Sequence, residues 1–253
     1  MCGIVGYVGD RNVYDVLIKG LYRLEYRGYD SAGIALGRAG KINIYKTHGK
    51  VDNLVNYCKD KDKQATYGIA HTRWATHGEP SDCNAHPHCS EDGNLAIVHN
   101  GTIENYKLLK DALIEHGCKF YSQTDTEVLA QLIEFVRLEN HCSLVEAVRV
   151  ALKQVVGAYA IAVIAKDDPG TIVAARNCSP LVIGMGDNET FLASDATPFV
   201  EYTKNVVYLE DEQIALIRRG KPLRLLNLKN EESTVSVKKL EWSISQLEKG
   251  GYP

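Results

Sequence analysis

The sequence has no apolar run that approaches the roughly 18–20 residues needed to span a membrane. Its first residues also lack the basic region and the long apolar region of a secretory signal. No Lys/Arg cluster is present and the formal net charge is -3, which argues against a nucleic-acid-binding surface. We therefore expect a cytoplasmic protein with neither a membrane nor a nucleic acid as its partner.

Length and composition are those of a globular protein. The chain has 253 residues, of which 45% are hydrophobic and 24% charged, enough for one large domain or two small ones. Its seven cysteines are odd in number and widely scattered, so reduced thiols fit better than a disulfide framework. No internal repeat or low-complexity segment occurs before a polar tail that begins near residue 231.

Hydrophobic periodicity predicts groups of strands with helices gathered between them. Helices are predicted over residues 12–26, 51–60, 104–116, 124–138 and 144–155. Strands are predicted over 4–8, 31–36, 41–45, 67–71 and 94–99, and over seven further segments between 158 and 228. The order favours an α+β layered sandwich with mostly antiparallel sheets.

The cysteine directly after the initiator is the first candidate for chemistry. Removal of Met1 would leave Cys2 with a thiol and a free α-amino group on one residue, and the amine titrates near neutrality. The thiolate is the nucleophilic form of cysteine, so a base on the same residue would activate it. Cysteine at position 2 is also common without any catalytic meaning. The apolar strand that follows indicates that this end of the chain is fixed inside the fold.

Two polar clusters at predicted strand ends offer hydrogen-bond donors. Arg73, in the stretch 71–78, carries a planar guanidinium that suits a carboxylate, although a surface turn is the simpler interpretation. Asn100 and Gly101 offer a carboxamide N–H beside a backbone N–H, the two donors of an oxyanion hole. Asn-Gly is also the most common hairpin turn pair.

Two further clusters have competing interpretations. Asp125, in the stretch 124–127, is suited to bind an ammonium group or simply to begin a helix. His86, His88 and Cys89, with Cys83 nearby, could suggest a zinc knuckle, but their spacing matches no regular tetrahedral pattern. We predict no metal and no organic cofactor.

Together these groups complement one kind of molecule. A cysteine nucleophile, two oxyanion donors, a carboxylate-binding arginine and an ammonium-binding aspartate match an α-amino acid with a reactive side-chain carbonyl. Glutamine is such a molecule.

The same stretches resemble a known family. Residues 1–6, 26–33, 71–80, 99–101 and 124–127 are similar to the N-terminal glutaminase domain of class II glutamine amidotransferases, which are N-terminal-nucleophile hydrolases. The resemblance implies a four-layer αββα sandwich of two antiparallel sheets. Residues 26–33, 71–78 and 179–184 further resemble the branch that makes glucosamine 6-phosphate from fructose 6-phosphate.

The resemblance also implies a role for each site residue. Cys2 would be the nucleophile, and Asn100 and Gly101 the oxyanion hole. Arg73 and Asp125 would hold the α-carboxylate and the α-ammonium of glutamine. Thr76, His77 and Gly101 would assist substrate binding. Trp74 would gate the ammonia route, and Arg27 and His99 would support the site.

Domain organisation follows from the same resemblance. Residues 2–230 would form the glutaminase domain, and residues 231–253 would begin a linker to a sugar-phosphate isomerase domain that is absent from this sequence. We expect hydrolysis of L-glutamine as the ammonia-supplying half of the longer enzyme, which would form a homo-oligomer. Two alternatives are an N-terminal-nucleophile acylase acting on another amide, such as a penicillin or a conjugated bile acid, and a glutamine-sensing domain without turnover.

Overall fold

The computed structural model describes residues 2–74 and 78–241, and within them the chain forms two β-sheets and five α-helices. The first sheet has eight strands, in the spatial order β15 (Lys238–Lys239), β11 (Asn205–Tyr208), β9 (Val182–Met185), β10 (Thr190–Ala193), β1 (Gly3–Val8), β4 (Tyr67–Arg73), β2 (Ser31–Arg38) and β3 (Lys41–His48). The second has seven, in the order β14 (Glu232–Ser233), β13 (Arg224–Asn227), β12 (Gln213–Arg218), β8 (Thr171–Asn177), β7 (Gly157–Ala165), β6 (Leu95–Ile103) and β5 (His88–Cys89). Neighbouring strands are antiparallel in both sheets.

The helices cover the outer faces of the two sheets. They are α1 (Val13–Leu24), α2 (Val51–Tyr57), α3 (Tyr106–Glu115), α4 (Asp125–Glu139) and α5 (Leu144–Leu152). The first two pack on the eight-stranded sheet and the other three on the seven-stranded sheet. None of the described helices is both long enough and apolar enough to cross a membrane.

Strand β1 shows how the layers are built. Val5 and Tyr7 point outward into the core shared with α1, whereas Ile4 and Val8 point inward into a core between the two sheets. A third core lies between the other sheet and α3, α4 and α5. Three cores separate four layers, so the expected αββα sandwich of antiparallel sheets is confirmed.

Helix starts follow the sequence signals. The side chain of Ser143 accepts a hydrogen bond from the backbone N–H of Glu146 at the start of α5, as the capping-box pattern predicts. Thr124 caps α4 in the same way by accepting from Glu127 N–H. The second cap fixes the helix start that carries Asp125.

The predicted end of the strand over 94–99 is wrong. Strand β6 continues to Ile103, with Asn100 opposite Ala160 and Gly101 opposite Tyr159 of β7. Asn100-Gly101 is therefore not a hairpin turn, because β7 supplies a hydrogen-bonding partner along the whole segment.

Three short edge strands were not predicted from the sequence. Strands β5, β14 and β15 are two residues long and too short to show any periodicity. Strands β14 and β15 follow residue 231 and pair with β13 and β11. The two sheets thus extend to residue 239, and the linker boundary at residue 231 stays a prediction.

Candidate active site

The site lies where one end of β1 and of β4 meets β6 of the opposite sheet. Gly3 pairs with Thr72, so the antiparallel register brings Cys2 beside Arg73 and Trp74. From the second sheet, the carboxamide of Asn100 donates a hydrogen bond to the Cys2 carbonyl at 3.2 Å. Residues about 70 and 100 positions apart in the chain are thus brought together by sheet packing.

A cavity of about 400 Å³ opens at this junction, within the size range of small-molecule sites. Eight of the predicted site residues line it: Cys2, Arg27, Arg73, Trp74, His99, Asn100, Gly101 and Asp125. Its other lining residues are His86, Thr102, Thr124, Thr126, Ser179 and Pro180. Thr76 and His77, also predicted, lie outside the described residues.

The Cys2 thiol is held against the backbone of Trp74. Its sulfur accepts from Trp74 N–H at 3.2 Å and lies 3.5 Å from Trp74 O, to which the S–H can donate. Burial raises the pKa of this thiol above its ordinary value, and the backbone hydrogen bond and the nearby Arg73 guanidinium only partly oppose that effect. The thiol is therefore protonated near neutrality and needs a base to become a nucleophile.

Gly101 has a backbone that only glycine tolerates. Its φ is +127°, and a Cβ at this position would lie 2.0 Å from the carbonyl oxygen of Ala158 on β7. The absent side chain lets strand β6 keep its pairing with β7 while Gly101 borders the cavity. Asn100, the preceding residue, directs its carboxamide toward Cys2.

Two buried side chains of opposite charge border the cavity. The guanidinium of Arg73 donates to the Gly78 carbonyl at 3.2 Å and lies 3.8 Å from a carboxylate oxygen of Asp30. Asp125 begins α4, where the helix dipole favours a carboxylate, and its Oδ2 accepts from Ile103 N–H at 2.8 Å. The cavity thus presents a cationic and an anionic group to any small molecule within it.

Glu127 fixes the chain segment that leads into Asp125. Its carboxylate accepts from the backbone N–H groups of Tyr121 and Ser122 at 2.8 and 2.6 Å. The Glu127 backbone N–H in turn donates to Thr124 Oγ1 at 3.2 Å. The position of Asp125 is therefore set by a rigid helix start.

Trp74 and Arg27 form the outer side of the cavity. Trp74 is 56% exposed and packs on Gly28, where a Cβ would lie 2.7 Å from the indole ring. Gly28 also has a φ of +116°, so no other residue fits this position without strain. Arg27 donates to Asp195 Oδ2 at 2.6 Å, which fixes its guanidinium at the same rim.

His99 lines the cavity and is buried. Its Nδ1 is 2.9 Å from Thr126 Oγ1, and its Nε2 is 3.5 Å from Ala158 O. The ring thereby joins the start of α4 to the strand pair that carries Gly101. This placement is compatible with the supporting role predicted for His99.

Sequence reasoning gave no role to three residues that contact the site. His71 lies within the stretch 71–78 and bonds to Asn100, and Ser194 and Asp195 bond to Asn100 and Arg27. Ser194 and Asp195 directly follow the apolar strand β10, so their position at a strand end was the available signal. His71 is the last residue of the strand predicted over 67–71, but in the structure β4 continues to Arg73, so His71 lies within the strand.

The zinc-knuckle alternative receives no structural support. In residues 2–74 and 78–241 no group of three or more His, Cys, Asp or Glu side chains is arranged to hold a metal ion. The ring of His86 packs against that of His71 in a tilted arrangement, with the centroids 4.1 Å apart, and His88 Nε2 lies 3.1 Å from Thr124 Oγ1. These imidazoles therefore pack on one another and on the α4 cap.

The arrangement is suited to acyl transfer. A thiol lies beside a carboxamide donor, and charged groups able to fix both ends of a zwitterion border the same cavity. Such a site could hold an amino acid and attack a carbonyl on its side chain.

Comparison with protein families gives a match over residues 71–201, to the model described as a glutamine amidotransferase domain. This stretch covers Arg73, Asn100, Gly101 and Asp125 and amounts to about half of the chain.

Curated relatives match along the whole chain. A glutamine–fructose-6-phosphate aminotransferase (isomerizing) of Bacteroides thetaiotaomicron is 59% identical, and those of Thermus thermophilus and Thermococcus kodakarensis are 49% and 43% identical. Each alignment covers 100% of this chain but only 41–42% of the relative. The chain therefore spans about two fifths of the length of these relatives.

Solved structures agree with the fold. A glutamine phosphoribosylpyrophosphate amidotransferase from B. subtilis, complexed with ADP and GMP, superposes with a TM-score of 0.77 at 26% identity, covering 91% of this chain and 50% of that one. A structure described as the allosteric regulatory enzyme of purine biosynthesis gives 0.78 at 27% identity, covering 90% and 49%.

Proposed function

We propose, because this chain belongs to the glutamine amidotransferase domain family, that it hydrolyses L-glutamine to glutamate and ammonia. The observation that carries the proposal is the meeting of Cys2, Asn100, Arg73 and Asp125 at one cavity of about 400 Å³. Each group complements one part of glutamine: the side-chain carbonyl carbon, its oxygen, the α-carboxylate and the α-ammonium.

The reaction is a two-step acyl transfer that begins after Met1 is removed. The α-amino group of Cys2 takes the thiol proton, and the thiolate attacks the side-chain carbonyl carbon of glutamine. The oxygen becomes an oxyanion, which Asn100 Nδ2 and the Gly101 N–H stabilise. The protonated α-amino group of Cys2 then gives this proton to the side-chain nitrogen of glutamine, which leaves as ammonia. Water then cleaves the thioester to release glutamate and regenerate the thiol.

Burial of the Cys2 thiol explains why the mechanism needs a base close to the sulfur. The raised pKa of Cys2 keeps the thiol protonated near neutrality. An α-amino group has an ordinary pKa of roughly 7.7–8.0, so a useful fraction of it is unprotonated there. Nucleophile and base then share one residue and need no separate alignment.

Substrate specificity resides in the charged pair. Arg73 offers two N–H groups to the α-carboxylate, and Asp125 offers a carboxylate to the α-ammonium. Thr76 and His77 assist glutamine binding, a role that we propose from the sequence resemblance alone. Trp74, exposed at the rim beside the nucleophile, gates the route by which ammonia leaves. Arg27 and His99 support the site from its two sides.

A longer enzyme is the setting we propose for this activity. The relatives are more than twice the length of this chain and are named glutamine–fructose-6-phosphate aminotransferases. We propose that residues 2–230 form the glutaminase domain, and that residues 231–253 begin the link to a sugar-phosphate isomerase domain. That domain would use the ammonia to convert fructose 6-phosphate into glucosamine 6-phosphate, in a homo-oligomeric, cytoplasmic enzyme.

A substrate panel tests the proposal on the 253-residue chain. We expect glutamate and ammonia to be released in equal amounts from L-glutamine, and little or no product from D-glutamine, L-asparagine, a penicillin or a conjugated bile acid. Turnover of a penicillin or a bile acid instead would favour an acylase. Binding of L-glutamine without any product would favour a sensing domain.

Arg73→Lys should raise the KM for L-glutamine by about 10- to 100-fold, because a lysine cannot form the two-point hydrogen bond to a carboxylate. We expect kcat to change by less than about threefold, because this contact is made equally in the ground and transition states. Steady-state kinetics of glutamate release measure both constants.

Arg176→Lys is a matched control, since Arg176 also bonds to a backbone carbonyl and to an aspartate but does not line the cavity. A fall in kcat with an unchanged KM in Arg73→Lys would rule out carboxylate binding by Arg73.

A further inference from the structure

The carboxamide of Asn100 is held at both of its ends. Its Oδ1 lies 2.8 Å from Nε2 of His71, and its Nδ2 donates to Ser194 Oγ at 2.9 Å and to the Cys2 carbonyl at 3.2 Å. All of these atoms except those of Cys2 belong to buried residues. The orientation of the proposed oxyanion donor is thus determined by its neighbours.

His71 can only donate at Nε2. This nitrogen is 2.8 Å from Asn100 Oδ1 and 3.0 Å from the carbonyl oxygen of His99, and both of these atoms are acceptors. The opposite nitrogen, Nδ1, has no hydrogen-bond partner within residues 2–74 and 78–241. Complete burial lowers the pKa of His71 to about 3, so the ring is neutral with its one proton on Nε2.

A single protonated nitrogen fixes the amide of Asn100 in one of its two orientations. If the carboxamide rotated by 180°, Nδ2 would face the Nε2–H of His71, and Oδ1 would face the carbonyl oxygen of Cys2. Both contacts would join like groups in a buried setting, which is unfavourable. The observed orientation therefore keeps an N–H directed at the residue that carries the thiol.

Ser194 couples the same amide to the strand of the nucleophile. Its hydroxyl oxygen accepts from Asn100 Nδ2 and also from the backbone N–H of Ile4 at 2.8 Å. Its own N–H donates to the Ile4 carbonyl at 3.1 Å. Ile4 lies two residues from Cys2, so one serine side chain links the two sheets close to the nucleophile.

We infer that His71 and Ser194 are positioning residues that hold Asn100 as an oxyanion donor, acting on the glutamine hydrolysis proposed above. Neither residue lines the cavity, so neither needs to touch substrate. In the reaction, the hydrogen bond from Asn100 Nδ2 to the Cys2 carbonyl is exchanged for one to the oxyanion, and the proton stays on Nδ2, while the hydrogen bonds to His71 and Ser194 persist. The inference rests on the proposed function and adds to it the two residues that orient the Asn100 carboxamide in the oxyanion hole.

The test compares His71→Leu and His71→Gln with the control His88→Leu in the 253-residue chain. His88 is a second buried imidazole of the same cluster, but it bonds to Thr124 rather than to Asn100. We expect His71→Leu to lower kcat by about 10- to 100-fold with KM within about twofold, somewhat less than the loss of an oxyanion donor itself. His71→Gln, whose carboxamide N–H can take the place of Nε2–H, should recover most of kcat, and His88→Leu should change kcat by less than about threefold.

Alkylation by iodoacetamide separates positioning from general damage. The rate at Cys2, followed by peptide mapping, depends on the thiol and not on an oxyanion donor, so we expect it to be unchanged in His71→Leu. Equal loss of kcat in His71→Leu and His88→Leu would overturn the inference, and so would a parallel loss of Cys2 alkylation. If the parent chain releases no glutamate, the proposed function fails on its own, before any variant is compared.

Ser194→Ala is a second test of the same inference, for use if His71→Leu does not fold. Circular dichroism checks its fold, and we expect kcat to fall by about tenfold with little change in KM, because the second anchor of the amide is lost. A folded Ser194→Ala variant with the parent kcat would overturn the inference.

Discussion

Replacement of Cys2 by alanine is expected to abolish glutamate release from L-glutamine. In the proposed mechanism the Cys2 thiol is the protein group that forms a covalent bond to the substrate, and loss of a catalytic nucleophile lowers kcat by on the order of 10⁴-fold or more. The substitution should leave the fold intact, because the sulfur bonds only to the backbone of Trp74 among the described residues. A coupled assay for glutamate, together with a thermal unfolding curve, measures both quantities.

Cys83→Ala and Cys178→Ala are the matched controls for this prediction. Both cysteines are exposed, and neither lines the cavity. We expect each variant to keep the rate of the parent chain. Glutaminase activity that survives in Cys2→Ala would refute the mechanism, whichever residue supplied it.

Asn100→Ala should lower kcat by about 10²–10³-fold and change KM for L-glutamine by much less. The carboxamide is proposed to bond to the oxyanion, which exists only after attack, so its loss acts on the transition state and not on binding. We also expect a stability loss of about 1–3 kcal/mol, because the buried Nε2–H of His71 would then retain only the His99 carbonyl. Steady-state kinetics and chemical denaturation measure the two effects separately.

Asn105→Ala controls for the loss of a structural asparagine. Its carboxamide also bonds to backbone groups, those of Gln154 and Val156, but it lies outside the cavity. We expect a lower unfolding free energy with kcat nearly unchanged. A larger effect of Asn100→Ala on KM than on kcat would instead mean that Asn100 binds the substrate in its ground state.

The layered fold was predictable because its signals are local. Ser143 and Glu146 mark the start of α5 at the predicted residue, since a capping box needs only four neighbouring residues. The alternation along β1 arises in the same way, from side chains that point to opposite faces of a strand. What local signals could not supply was the order of the strands in each sheet.

The error at Asn100-Gly101 has a physical cause. The pair has the composition of a hairpin turn, and in isolation that preference is strong. In the folded chain β7 offers a continuous hydrogen-bonding edge, and the missing side chain of Gly101 allows the Ala158 carbonyl to approach. Tertiary pairing therefore overrides the turn preference, and information from a distant strand was needed to foresee it.

Cys2, Arg73, Asn100, Gly101 and Asp125 were candidates from their chemistry, and the resemblance assigned their roles and added the other site residues. Their convergence could not be derived from their spacing in the sequence. Cys2, Arg73 and Asn100 are far apart in the sequence, and only the packing of two sheets brings them to one cavity. His71 and Ser194 escaped notice for the same reason. Each contacts Asn100 from the opposite sheet, and no neighbouring residue in the sequence indicates that contact.

Labelling with 6-diazo-5-oxonorleucine, a glutamine-like electrophile, tests most directly whether the N-terminal cysteine is the reacting group. The chain would be incubated with the reagent in the presence and absence of excess L-glutamine, digested, and mapped by mass spectrometry. We expect one adduct, on Cys2 of a chain that has lost Met1, with protection by L-glutamine. An adduct on any of the six other cysteines, or full glutaminase activity in a chain that retains Met1, would contradict it.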